Sequence, residues 1–489
     1  MHITRSKYHR KSLAGLAAAA VLVGGLVTAP PAVAAPAETA AAETGGTGLA
    51  SHLQRTLDRL RFEQVLDTNP PASTADLNAL RQRSADENEE KAAVRPPKQA
   101  ELRAAATAAA PISQQPQIDL TVIELDRLGR AVSSGTVLMS PQYPDGEIVP
   151  VDRNLRTTQV RWRQWDDAGW YANKGQGTID VVPGRENAPI DFMSPYPASV
   201  LKLMVAFGVL RLVDQGEIAL DDTYAYEPTT ISSLCGGAGS DTVRDYLDAS
   251  LTWSSNGATC ALVKLLHDRG AVEGLNQTFQ DLGLETMQLK NTNPANGARW
   301  GNPVTMNSLD TAKLLMLVNG GWGVLWTAPD GKQVTRGVLS DASREFFKGK
   351  LADQGMNIAL STTSWCGAAY PAQGIPQVTP ERWIEADGTV TIPGQGISYG
   401  HDVRPCNDAA EVTYAHKNGW VNNSGAEAGI VKALPGKGGR TYIVAMFSNL
   451  GYQYVDANRP STGVENVWFT EKFAQLGKAI DVYEKQRRQ

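Results

Sequence analysis

Cysteine and histidine are scarce in this chain, with four and six among 489 residues. No C-x-x-C or H-E-x-x-H spacing occurs, so the sequence supports no metal site, and no cofactor is expected. Charge of one sign is missing too. There are 46 basic against 51 acidic residues, a net of −5, and no basic block lies beyond residue 11. A nucleic-acid partner is therefore not expected. Past the N-terminus no apolar run is long enough to span a bilayer, so no membrane span is expected. What remains is a hydrophobic share of 42% over a length that calls for one large domain or two modest ones.

The first segment reads as an address rather than a fold. Arg5, Lys7, Arg10 and Lys11 precede an apolar stretch from Leu13 to Val27, and Ala32-Val33-Ala34 follows. This is the order of a secretory signal peptide, residues 1–34, and it predicts a secreted, extracellular protein. No cysteine stands at the junction to take a lipid. In an exported chain four cysteines favour two disulfides. Three pairings are open, and Cys235–Cys260 with Cys366–Cys406 is preferred because it closes the shorter loops.

Residues 35–117 read as a leader, an N-terminal helix and a linker. Apolar residues at helical spacing in LASHLQRTLDRLRFEQVL (49–66) predict the helix, and Pro, Ala, Gln and charge fill 69–117. The folded domain is expected over 118–489. It opens with two β-rich runs around DRLGR, which resemble a hairpin. A Trp-rich stretch with Trp162, Trp165 and Trp170 follows. Those rings suit either sugar stacking or the plainer task of packing a loop onto the core. Helical patterns are expected at 200–214, 242–249, 258–268, 308–319 and 340–352. After a Pro- and Gly-rich excursion at 367–405, three β-rich runs and a final amphipathic helix close the chain. Strands at both ends with helices between them predict an α+β fold, whose antiparallel sheet joins the two ends around a mostly helical subdomain.

Three short stretches have chemical potential. PASVLKLMVAFGVLRLVDQG places Lys202 one turn beyond Ser199 at the mouth of an apolar helix. A hydroxyl within reach of an amine there is a candidate nucleophile and base. Alone, the pair reads equally as an N-cap and a snorkelling lysine. LTWSSNGATCALVKLLHD sets Ser254-Ser255-Asn256 before a second helix. A second serine is suited to relaying a proton and an asparagine to holding an amide, although Ser and Asn are also ordinary caps. In TYAHKNGWVNN, Lys417 offers a cation for a substrate carboxylate and Gly419 admits a ligand close to the backbone. The rival reading of Asn418-Gly419 is a hairpin turn.

Taken in order, Ser-x-x-Lys, Ser-x-Asn and Lys-x-Gly resemble the penicillin-recognising serine enzymes, and within them the class A β-lactamases. TVRDYLDASLTWSSNGATCALV and VLSDASREFFKGKLADQGMN look like the family's flanking stretches. The likeness runs from about 118 to the C-terminus, outside the excursions near 140–190 and 367–405. It implies a secreted serine hydrolase acting on a small-molecule β-lactam or a cell-wall peptide, and a monomer is expected. By resemblance the catalytic residues are Ser199 as nucleophile, Lys202 as proton acceptor and Ser254 as proton relay. Asn256, Lys417, Asn418, Gly419 and Trp420 would bind substrate, with the backbone N–H groups of Ser199 and Trp420 as an oxyanion hole.

Two departures stand out. Asn418 occupies a place where the family commonly has Thr or Ser. The glutamate with which class A enzymes hydrolyse the acyl-enzyme should fall near 285–296, and ETMQLKNTNPAN there offers only Glu285. Acylation by a β-lactam could then proceed while turnover stalls, as in a penicillin-binding protein, and a D,D-peptidase or penicillin-binding protein acting on cell-wall peptides is the alternative. A non-catalytic binding module of the same fold is the third.

Overall fold

In the late stretch TYIVAMFS (441–448) the apolar residues do not alternate with polar ones but run continuously, which implies a strand covered on both faces. The computed structural model bears this out. It describes residues 47–65, 110–111, 115–166, 177–301, 303–357, 359–361, 373–392, 397–399, 402–421, 423–451, 453–454, 465–466 and 470–487. Strands β1 (Ile118–Leu125), β2 (Ala131–Ser140) and β3 (Tyr143–Ile148) come first, and β1 and β2 form the expected hairpin. At its turn the Asp126 carboxylate accepts the backbone N–H groups of Leu128 and Arg130 at 2.8 and 2.9 Å. A short parallel pair follows, β4 (Val160–Arg163) and β5 (Ile190–Met193). Strands β6 (Val412–Val421), β7 (Ser424–Ala433) and β8 (Thr441–Ser448) complete a six-stranded antiparallel sheet of order β6-β7-β8-β1-β2-β3. Because β8 pairs with β1, Ser448 against Ile118, the sheet joins early and late segments as expected.

The two faces serve different layers. On β8, Tyr442, Val444 and Met446 enter one apolar core, whereas Ile443, Ala445 and Phe447 enter the other. Helix α1 (Thr47–Leu60) covers the first face with Leu49, Leu53 and Leu57, and its His52 stacks on Tyr483 at 3.9 Å. The helical subdomain covers the second face. It comprises α2 (Lys202–Asp214), α3 (Val243–Thr252), α4 (Asn256–Asp268), α5 (Val272–Asp281), α6 (Ser308–Asn319) and α7 (Asp341–Ala352). Caps set their starts: Thr242, Ser255, Asn307 and Ser340 each accept a backbone N–H from the first turn. α5 has no counterpart among the expected helices. The last helix, α8 (Thr470–Arg487), returns to the first face, where Phe473, Leu476 and Ile480 are buried.

Cys235 and Cys260 form a disulfide with Cα atoms 5.5 Å apart, as preferred from sequence. Cys406 is also disulfide-bonded, while its expected partner Cys366 lies outside the described residues. Trp162 packs edge-on against Phe192 at 5.9 Å, and Trp165 packs with Met193, so both serve the core and neither is free to stack on a sugar. Trp170 and the signal segment 1–34 fall outside the described residues. Among the described residues no helix is long and apolar enough to cross a membrane.

Candidate active site

The chain does not run straight into α2. Residues Ala198–Leu201 form a 3-10 turn, and Ala198 has a φ of +45°, unusual for a residue with a side chain. Strand β6 presses against this turn. A Cβ on Gly419 would lie 2.7 Å from both the Pro197 oxygen and the Ser199 nitrogen, so only glycine lets the two backbones meet. Just before the turn, the Tyr196 carbonyl accepts from Ser424 Oγ at 2.5 Å. Ser199 thus sits on a turn clamped against the sheet, with Lys202 as the first residue of the helix proper.

Around Lys202 the sequence-predicted residues converge. Its Nζ is 2.8 Å from Ser199 Oγ and 2.8 Å from Ser254 Oγ, and it donates to the Ser254 carbonyl and Asn256 Oδ1, each at 2.8 Å. Lys417 Nζ approaches from β6, 2.8 Å from Ser254 Oγ, and donates to the carbonyl and Oδ1 of Asn418 at 2.7 and 3.3 Å. One hydroxyl therefore bridges two amines. Ser254 holds this place with a φ of +64°, a strained conformation of the kind found at functional sites. Neighbouring Ser255 is the residue that caps α4, accepting the Ala258 N–H at 3.2 Å. The capping reading of Ser-Ser-Asn is thus right for the middle residue alone.

Burial shows how the cluster opens. Lys202 and Lys417 are fully buried and Ser254 is 1% exposed, whereas Ser199 keeps 4% and Asn256 is half-buried at the rim. Asn418-Gly419 is not a turn, since β6 continues to Val421. Trp420 points its side chain into the core on the other face, edge-on to Phe473 at 5.8 Å. Only its backbone is available to the site.

Sequence reasoning missed two groups. The Trp300 ring centre lies 5.7 Å from Lys202 Nζ, within cation–π reach. A lone aromatic in a Gly- and Asn-rich loop carries no periodic signal to reveal it. Behind β6, His416 Nδ1 lies 2.6 Å from a Glu427 oxygen and Nε2 lies 2.9 Å from Asn357 Oδ1, all buried. Glu427 also accepts the Leu360 N–H at 2.5 Å. Glu285 is partly exposed, ion-paired with Arg185 at 3.1 Å, and its charge acts on Asp310 and Lys313.

Residues 193–359 match the family model described as the Beta-lactamase enzyme family. That span holds Ser199, Lys202, Ser254, Asn256 and Trp300. Over it, the chain is β-lactamase-like. None of the curated proteins compared matches. Among solved structures, PBP-A is 16% identical at a TM-score of 0.41, with 77% of this chain and 93% of that chain covered. A β-lactamase from Sphaerobacter thermophilus is 15% identical at 0.36, with 74% and 89% covered. One from Chitinophaga pinensis is 17% identical at 0.35, with 60% and 86% covered. The α+β reading rests on the sheet and helices described above, and the hydrolase-family likeness on the family match.

Proposed function

We propose that the protein is an exported serine acyl-transferring hydrolase that attacks a β-lactam or a cell-wall peptide through Ser199. The observation that supports this best is the 2.8 Å approach of Lys202 Nζ to Ser199 Oγ at a helix mouth, with Ser254 and Lys417 converging on the same point. Lys202 takes the Ser199 proton as Oγ bonds to the carbonyl carbon. Ser254, in contact with both lysines, delivers a proton to the departing nitrogen. Lys417, with Asn418 beside it, attracts the substrate carboxylate, and Asn256 at the rim holds its amide. The backbone N–H groups of Ser199 and Trp420 receive the developing oxyanion, each such donor being worth on the order of a hundredfold in rate.

A second reading, that the acyl-enzyme accumulates as in a penicillin-binding protein, is favoured by the commitment of Glu285 to Arg185. The signal segment and the Cys235–Cys260 disulfide support export. The test is to mix the mature protein with a chromogenic β-lactam and follow both colour and intact mass. Steady colour supports a lactamase, and a single burst with a lasting adduct supports trapping. Absence of any adduct or turnover leaves the binding module. Ser199→Ala must abolish both signals, and a variant that still turned over would overturn the assignment.

A further inference from the structure

The surroundings of Lys202 are polar on the sides facing Ser199, Ser254 and Asn256 and aromatic where Trp300 lies. Resting on the acyl-enzyme reading above, we propose that Trp300 protects the Ser199 ester from hydrolysis by walling water away from the amine beside it. The chemistry makes the requirement plain. In deacylation a water oxygen bonds to the ester carbonyl carbon while one of its protons passes to a base. The bond to Ser199 Oγ then breaks, and Oγ takes a proton back, leaving a free acid and a serine hydroxyl. A water that does this must be held, and an ordered buried water needs two to four polar partners. The face of an indole offers none. The Trp300 N–H is also spent, because Nε1 donates to the Gly297 carbonyl at 2.8 Å.

The wall is built rather than incidental. Trp300 is 6% exposed. Its loop is tied at two points: Asn293 N–H donates to the Ala298 carbonyl at 2.9 Å, and Ala298 N–H to Asn296 Oδ1 at 2.9 Å. Gly297, at φ +72°, lies so close to α4 that a Cβ would fall 2.0 Å from the Cys260 carbonyl oxygen. Cys260 is itself bound to Cys235. Arg299, the residue before the indole, is held at φ +76°, where a side chain is strained. The fold thus tolerates backbone strain to seat the ring against the catalytic amine.

The experiment measures the lifetime of the penicilloyl adduct by intact mass after excess penicillin G is removed, and the acylation rate beforehand. It uses wild type, Trp300→Ala, Trp300→Gln and the conservative Trp300→Phe, with circular dichroism to confirm folding. The adduct should decay at least tenfold faster in Trp300→Ala and Trp300→Gln than in wild type, and within threefold of wild type in Trp300→Phe. Because the ring lies over the acylating amine, acylation rates are reported for each variant, and the adduct lifetimes decide. Should Trp300→Ala be unfolded, the contrast between Gln and Phe decides the same question. Adducts that persist equally in all folded variants, or a Phe variant that decays as fast as Gln, overturn the role of Trp300 alone. A wild type that forms no adduct overturns the acyl-enzyme reading and this inference with it.

Discussion

At Gly419 a single methyl group would collide with the backbone on either side of Ala198, because the β6 strand and the Ser199 turn touch there without side chains between them. Neither neighbour is a flexible side-chain end, so the clash with Pro197 O and Ser199 N must be relieved by shifting backbone. Gly419→Ala should therefore cost about 1–3 kcal/mol in stability by overpacking. It should also slow acylation by on the order of a hundredfold, as expected of a misplacement near 1 Å. Denaturant unfolding and the time course of adduct formation read the two effects separately. An unchanged acylation rate would show that the strand need not touch the turn. Such residue-level chemistry was readable in the sequence wherever it lay in short spacings. Ser199 and Lys202 are one helical turn apart, and Ser254 and Asn256 flank a cap, so local geometry announced them. Trp300 was silent because its partner is 98 positions away and brought near only by the folded loop.

An element carries more than its motif, and β6 makes the case. Seen from the sequence, TYAHKNGWV was a strand with a turn candidate inside it. The side-chain period of two then decides everything. Lys417 and Gly419 meet the helical subdomain, whereas Tyr414 and Trp420 enter the opposite core and His416 stacks on Tyr414 at 4.3 Å. Behind the site, Glu427 binds His416 on β6 and the Leu360 N–H of the segment after α7. Removing Glu427 leaves the buried His416 nitrogen and the Leu360 N–H without their acceptor, and an unsatisfied buried donor typically costs about 1–3 kcal/mol. Glu427→Ala is expected to lose that much in chemical unfolding, and to weaken acylation because β6 presents Lys417. A loss under about 1 kcal/mol would mean that the pair contributes little to holding the strand. Other elements stayed hidden for identifiable reasons. α5 does carry the helical spacing, with Val272, Leu275, Asn276 and Phe279 at i, i+3, i+4 and i+7, but it spans only ten residues and one of the four is polar. The parallel pair β4–β5 joins segments about 30 residues apart across a turn-rich stretch, where no hairpin signal exists.

At the scale of the whole molecule, the sheet and the helical subdomain must be held in one relation if a serine from one and a lysine from the other are to meet. Asp119, on central strand β1, supplies one such tie. Its carboxylate accepts the Ser308 backbone N–H at 2.7 Å and the Ser308 hydroxyl at the start of α6, and it is fully buried. Burial, opposed in part by these two bonds, pushes its pKa up from 3.8 to about 7. In the unfolded chain the same group titrates near 4. Between those values the folded protein binds a proton that the unfolded chain has released. The stabilising contribution is therefore complete below about pH 4 and is lost as the pH rises through about 7. Asp119→Asn keeps an acceptor for the Ser308 N–H but cannot ionise, so it removes this slope. Denaturant unfolding of wild type at a series of pH values from about 4 to about 8 should show stability falling with pH by up to a few kcal/mol more than in Asp119→Asn. Parallel curves for the two proteins would mean that Asp119 binds as many protons in the folded as in the unfolded chain across this range, and the tie between sheet and helices would then not weaken toward neutral pH.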